Sequence, residues 1–542
     1  MVSIIAVFLC AVLSSLSFAL RESTGPGGSN AQAVHALGYD GLNINIGFIS
    51  QDNLLVSHEA FYEKDPSGLP TGPQHAFVHD TLGFGIDATS HDTRMAGIIV
   101  SNGGQNEPNQ IGVAPKADLH NIRVVSGGSI NTTSIQDALT ELITVYNCKV
   151  IITGIALPID GNGQSIWSRI HDYYAQTYDV IFAYAAGNND DGVSTKVIVF
   201  GDAYNGITTA GLVTTPWTDI YDYDKVGSVS LPGPTTDGIG RNKPDVAAPS
   251  TMQTVPSDVN DFSWEAVPGS IHGFTSYAVP HTAGVAALLL DYADESGDTD
   301  REHSEVIKAV MVNSTFPNII DKTDAPTTGL NWHADRGYGR LDALRAYETL
   351  SALRIVQGDP ATTNLKGWGF DSIKKNDTHA FKIMGKKNQR LVTTVTWHRK
   401  LNASYLEESP RFFVDVEILS MPGGSTVTSQ AADLDNLIKI DTLLPDDGEY
   451  QIVVKNAPQN NPLRNYAIAF ELLNPLEADF NIDYVVDIDD VTDLASYWLN
   501  TGCIDPVPCY LYDLSDNDSI DLGDFSIFAQ QWLDYDSRYY TP

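Results

Sequence analysis

Positive charge is scarce in this sequence. Its 542 residues carry 32 Lys and Arg against 68 Asp and Glu, a formal net charge of −36. A chain this acidic repels phosphate backbones and anionic headgroups, which argues against nucleic acid or a membrane surface as partner. It suits an exported protein or one that holds hard cations. Long apolar runs are missing beyond the N-terminus, so no later stretch is expected to span a bilayer. Residues 1–19 contain an apolar run from Ile4 to about Leu13, with Ser17 and Ala19 at the −3 and −1 positions of a cleavage site and no Lys or Arg ahead of it. We read them as a secretory signal removed from the mature chain; the alternative, an uncleaved anchor, would need a longer run. Cysteine is limited to four residues. Cys10 goes with the signal, and Cys148, alone beside Val150, Ile151 and Ile152, reads as a buried apolar residue. Cys503 and Cys509 are read as a disulfide, because the alternative of a metal pair lacks further Cys or nearby His.

What is present then bounds the fold. Hydrophobic residues make up 42% and aromatics 9%, enough for packed cores and too much for wholesale disorder. At about 150 residues per domain the length predicts three or four domains. From residue 42 to about 346, short runs rich in Ile and Val (44–49, 149–155, 179–185, 197–200) alternate with helical periodicity (134–146, 167–178). That alternation predicts an α/β domain with a mostly parallel sheet covered on both faces, assigned to residues 20–350. Residues 355–474 change character: strand-like alternation at 390–397, 412–419 and 450–454, separated by turn clusters at 422–424 and 445–448, predicts an antiparallel β-sandwich.

Residues 477–536 hold an internal repeat. Two units align at a constant spacing of 34, Asp479 on Asp513, Asp487 on Asp521, Asp490 on Asp524 and Trp498 on Trp532. Residues 479–542 contain fourteen Asp, one Arg and neither Glu nor Lys. Each unit is an Asp-rich loop followed by an apolar helical segment, with oxygen donors at loop positions 1, 3, 5, 9 and 12, a pattern that suits Ca²⁺. The first set is Asp479, Asn481, Asp483, Asp487 and Asp490; the second is Asp513, Ser515, Asn517, Asp521 and Asp524. The pair resembles a dockerin-type module, a small α-helical unit of two EF-hand-like halves with Asp at position 12. The resemblance implies bound Ca²⁺ and tethering to a cohesin-like or cell-surface scaffold. It departs at Tyr484 and Asp518, which stand where the family has Gly.

Four separated segments carry the chemistry. His91 opens a helical pattern (90–99); Ala185, Ala186, Gly187 and Asn188 end a buried strand; residues 243–249 read Lys-Pro-Asp-Val-Ala-Ala-Pro; and Phe274, Thr275 and Ser276 lead through Pro280 and His281 into an apolar helix. A serine on the first turn of a buried helix is aimed by the backbone, and the helix N-terminus favours its developing negative charge. In this order the motifs resemble the subtilisin-like serine proteases, or subtilases: residues 91–97 match H-G-T-H-V-A-G, 112–117 G-V-A-P-x-A, 185–188 A-A-G-N, and 274–281 G-T-S-M-A-x-P-H. The resemblance spans roughly residues 30–350 and implies a secreted, extracytoplasmic and bacterial endopeptidase acting on protein or peptide. Carried over, Ser276 is the nucleophile, His91 the base, and the Asn188 amide with the Ser276 N–H the oxyanion donors. The segment 152–157 resembles the edge on which extended substrate pairs.

The acidic member is displaced. The family places it at the end of the first strand, where this sequence has Ser50 or Gln51, with Asp52 following. Asp52 is therefore the expected acid, although a one-residue slip turns a side chain to the opposite face unless a bulge re-aims it. Asp92 and Arg94 stand where the family has Gly and His, and both charges are expected at the cleft rim. Phe274, two residues from the nucleophile, is expected to crowd the acyl site. These departures keep a second expectation open, that of a catalytically impaired protease fold serving as a peptide-binding or scaffolding module.

Overall fold

The computed structural model describes residues 20–532, apart from 190–191, 215–222, 268–271, 326, 328–331, 408–411, 433, 457–462, 474–475, 477, 481–485, 504–508, 510–511 and 516. The expected signal at residues 1–19 and the expected ligands Asn481 and Asp483 lie outside the described residues, as does Tyr484.

The first domain is built on seven parallel strands. They are β1 (Asn45–Ser50), β2 (Ala76–Val78), β3 (Asp118–Arg123), β4 (Val150–Thr153), β5 (Ile181–Ala185), β6 (Ile207–Val213) and β7 (Val246–Pro249), in the spatial order β7-β6-β5-β4-β1-β3-β2. A two-residue strand, Lys225–Val226, adds antiparallel to β6. Strands such as β4 (Val-Ile-Ile-Thr) and β6 (Ile-Thr-Thr-Ala-Gly-Leu-Val) are buried on both faces, which is why they carry no charge and no polar-apolar alternation. On one face lie α1 (Ser90–Val100) and α4 (Val279–Ser296); on the other lie α2 (Thr132–Thr144) and α3 (Ile166–Tyr178). Caps fix the helix starts: Asn131 and Ser165 accept from the N–H groups of Ser134 and Ser168. Pro280 stands in the first turn of α4, where its missing N–H leaves no bond unmade.

Two sheets follow. They comprise β8 (Lys366–Ile373), β9 (Thr378–Gly385), β10 (Arg390–Thr396), β11 (Val414–Ser420), β12 (Ser425–Ala431), β13 (Leu437–Leu443), β14 (Gly448–Asn456) and β15 (Arg464–Leu473). All pairings are antiparallel, in the orders β8-β15-β10-β13 and β9-β14-β11-β12. The apolar residues between the sheets form a core of their own. The outer face of the first sheet, however, packs on α5 (Ser304–Asn313) and α6 (Ala343–Ser351) of the α/β domain. Trp368, Leu437, Ala467 and Ala469 thereby belong to the same buried cluster as α1 and α4.

The last described residues include two short helices, α7 (Ile488–Ser496) and α8 (Leu522–Gln530), around a small cluster that includes the disulfide Cys503–Cys509. Cys148 is a free, buried thiol. Among the described residues, no helix is long and apolar enough to cross a membrane.

Candidate active site

Strand order reverses at β1, with β3 and β2 on one side and β4 to β7 on the other. In an open parallel sheet, the carboxyl ends of the strands around such a point leave a crevice. A cleft of about 330 Å³ opens there, and Ser276, His91 and Asn188 all line it. The segment 153–156, just after β4, lines the same cleft, so the expected substrate-pairing edge borders the three polar groups.

Each group is delivered by a different element. His91 lies in the first turn of α1, with 40% of its side chain exposed. Asn188 follows β5 across Gly187, whose φ of 102° is left-handed; a Cβ there would also stand 2.6 Å from Ile198 Cγ1. Ser276 sits on a single 3₁₀ turn, Thr275–Tyr277, just ahead of α4 rather than inside it.

Thr275 fixes the Asn188 amide. Its backbone N–H and its hydroxyl both donate to Asn188 Oδ1, at 2.9 and 3.1 Å, and its Oγ1 accepts from the Gly187 N–H at 3.2 Å. With the oxygen occupied on the protein side, the amide NH₂ is the end left to face the cleft. The sequence holds a signal for this role only in the adjacency of Thr275 to Ser276.

The carboxylate at His91 belongs to Asp92. Oδ1 of Asp92 lies 2.7 Å from His91 Nδ1, and Oδ2 accepts the Asp52 backbone N–H at 2.8 Å. The Asp92 side chain is 1% exposed. Asp52, the expected acid, contributes this N–H, while its own carboxylate pairs with the Arg123 guanidinium at 3.5 Å. Burial and the neighbouring Asp92 charge raise the Asp52 carboxyl above the usual range. Ser50, at the end of β1, is fully buried and accepts from Asn121 Nδ2 at 2.5 Å. The strand end thus turns its last side chain into the sheet and leaves its next N–H groups to the helix.

The rim expectation fails for Asp92, which is buried against His91. Arg94 is partly exposed and held by Glu265 at 2.9 Å and by the Tyr277 hydroxyl at 3.1 Å. Tyr277 in turn sets its ring 5.9 Å from that of His91. Phe274 does not line the cleft; it packs on the main core and its ring neighbours His272.

The Subtilase family profile (Peptidase_S8) matches residues 80–369, a little over half of the chain. The chain belongs to the subtilase family. It is 25% identical over 262 residues to subtilisin DY of Bacillus licheniformis, covering 48% of this chain and 81% of that protein. It is 27% identical over 241 residues to the major intracellular serine protease of Bacillus subtilis (44% and 66%) and 27% identical over 264 residues to subtilisin E of the same organism (48% and 58%). Among solved structures, the Prenylagaramide maturation protease PagA aligns with a TM-score of 0.43 at 17% identity, over 59% of this chain and 98% of that one.

Two polar residues in the motifs of this subtilase serve the fold instead. His281 is completely buried between Gln253 and Ser29, and burial lowers its pKa to about 3, so it stays neutral. Asp245 accepts from Lys243 Nζ at 2.5 Å and from the Thr208 N–H at 2.7 Å. It is a buried tie between β6 and the start of β7.

Proposed function

We propose that this subtilase is a secreted serine endopeptidase that hydrolyses protein or peptide substrates through a Ser276 acyl-enzyme. The observation that carries this reading is the convergence of Ser276, His91 and Asn188 on one cleft from three separate elements. Ser276 Oγ attacks the scissile carbonyl while its proton passes to His91 Nε2. The carbonyl electron pair moves onto oxygen, facing the Asn188 NH₂ and the Ser276 N–H. Collapse breaks the C–N bond, and His91 returns the proton to the leaving amine. Water then repeats the sequence on the acyl-enzyme. The second reading, a catalytically impaired protease fold, was motivated by a slip of Asp52 away from His91; against it stands the Asp92 carboxylate, whose Oδ1 lies 2.7 Å from His91 Nδ1. A fluorophosphonate probe tests the reading: covalent labelling at Ser276 in the folded protein supports it, and its absence rejects it. Asn188→Ala is expected to lower kcat by about 10²–10³ with little change in KM, measured on a peptide substrate, because the amide stabilises charge that develops only in the transition state.

We further propose that the two C-terminal loops bind Ca²⁺ and that the tail tethers the enzyme to a cohesin-like or cell-surface scaffold. The second loop is ordered by its own donors and acceptors. Asp513 accepts the N–H groups of Asn517 and Asp518 at 3.1 and 2.7 Å, and Asn517 Nδ2 donates to Asp521 Oδ2 at 3.3 Å. Asp518 adopts φ 62° at the turn position that normally calls for Gly. Asp524 is buried; burial pushes its carboxyl up, but the N–H groups of Asp521 and Ser515 outweigh this and hold it below the usual range. The bound ion would neutralise the Asp cluster. Chelation should therefore reduce the far-ultraviolet helical signal of α7 and α8 in the intact protein, and re-addition of Ca²⁺ should restore it. An unchanged spectrum would leave the tail held by packing and its disulfide.

A further inference from the structure

We propose that Asp92, the residue directly after the imidazole base, is the carboxylate that positions His91 for proton transfer. The inference rests on the protease reading above. Asp92 does not touch substrate and acts through the ring.

Three observations converge on it. First, the bond is short and one-sided: Asp92 Oδ1 meets Nδ1 at 2.7 Å, which leaves Nε2 as the nitrogen turned to the cleft that Ser276 lines. A proton fixed on Nδ1 keeps the Nε2 lone pair free to take the proton of Ser276, and the adjacent negative charge stabilises the imidazolium that results. Second, the carboxylate is itself held. Its second oxygen accepts the Asp52 N–H at 2.8 Å, and the side chain is 1% exposed, so it has one orientation. It also lies in the first turn of α1, where unpaired N–H groups favour negative charge. Third, the competing carboxylate of Asp52 has its ion pair with Arg123, at 3.5 Å, and acts on His91 only through its charge.

Side chains of successive helical residues diverge by about 100°, so direct pairing needs the ring nitrogen nearer the backbone and a short acid. His Nδ1 and Asp meet that condition. The strand end supplies no carboxylate to Nδ1: Ser50 is neutral and buried at the end of β1, and the helix supplies the charge. The transferred proton travels only between Ser276, His91 and the leaving amine.

The groups facing His91 are Asp92 from its own helix, Asp52 from the strand end and Tyr277 from the nucleophile turn. The test compares Asp92→Asn and Asp52→Asn in the full-length protein. Asp92→Asn is expected to lower kcat/KM by about 10⁴ through the wrong tautomer. The low-field proton NMR signal of the His91 Nδ1 proton should disappear. Asp52→Asn should keep that signal and lose less than about tenfold. The reverse pattern, with the signal and the rate lost in Asp52→Asn, overturns the proposal, and that arm decides even if Asp92→Asn does not fold. A wild-type protein that fails to label at Ser276 rejects the protease reading alone; the low-field signal and its sensitivity to Asp92→Asn still decide the pairing.

Discussion

Ser276→Ala is expected to lower kcat on a peptide substrate by about 10⁶ while the protein stays folded. The nucleophile and its base act as a unit, so losing the hydroxyl leaves His91 with no proton to accept. What remains is the contribution of the oxyanion donors and of substrate binding, about 10³–10⁴ over water in enzymes of this type. A second consequence follows from the same logic. In the Ser276→Ala background, a further change at His91 or Asp92 should cost almost nothing, because their work depends on the hydroxyl. The measurement is kcat for the single and double variants, with near-ultraviolet circular dichroism as the control for packing. Activity within a hundredfold of wild type in Ser276→Ala would assign the chemistry to another group.

The second large effect is on stability. Arg399 follows β10, yet its side chain enters the α/β domain, where it is 1% exposed. There Nη1 donates to the Gly163 carbonyl at 2.6 Å and pairs with Asp172 at 3.3 Å, and the guanidinium carbon lies 4.5 Å from the Tyr204 ring centroid. Asn205 reinforces the contact, taking the Arg399 N–H at 2.7 Å and donating to its carbonyl at 2.8 Å. Arg399→Met removes the charge while keeping much of the apolar stem. It strands Asp172, itself 1% exposed, and should cost about 3–5 kcal/mol in urea or thermal unfolding. Burial raises the Asp172 carboxyl above its usual range. The Arg399 charge opposes that rise, so the variant's carboxyl is raised further, and because an acid raised in the folded state costs stability as pH climbs above its unfolded value of about 3.9, the loss should grow between pH 4 and 7. The α/β domain and the sandwich should also unfold in one transition, since Trp368 and Leu437 of the sandwich lie in the same buried cluster as α4. A separate, earlier sandwich transition would show the interface to be weak. The pairing matters for function because α5, on which the sandwich sits, packs against α4 behind the nucleophile.

The sequence displayed most of the site. Ser276, His91 and Asn188 are legible because each stands at an element boundary with its own signature: a small-residue turn before an apolar helix, a helix start, a strand ending in Gly-Asn. The disulfide was legible from two cysteines six apart, and Cys148 from its apolar neighbours. The acid was not legible. Asp52 and Asp92 both lie within reach of the base in any reasonable alignment, and spacing along the chain does not say which side chain turns toward Nδ1. Asp92 was expected at the rim with Arg94, since residues two apart on a helix start do not face each other; its carboxylate instead meets His91 Nδ1 and is buried. Phe274 failed as an obstruction for the same kind of reason, since a bulky residue crowds a site only if its side chain points there.

By itself, then, the order of residues determined the alternation of strands and helices, the repeat at the C-terminus and the three polar groups of the cleft. These are written in local periodicity and in residues with few alternative uses. Only the tertiary structure decided which carboxylate serves His91, where Phe274 and Arg94 point, and that the sandwich shares a core with the α/β domain. Those outcomes depend on side-chain direction and on contacts between segments far apart in the chain, such as Arg399 with Asp172. Hydrophobic pattern and spacing specify the elements, but the packing that closes them against one another chooses among the carboxylates they bring together.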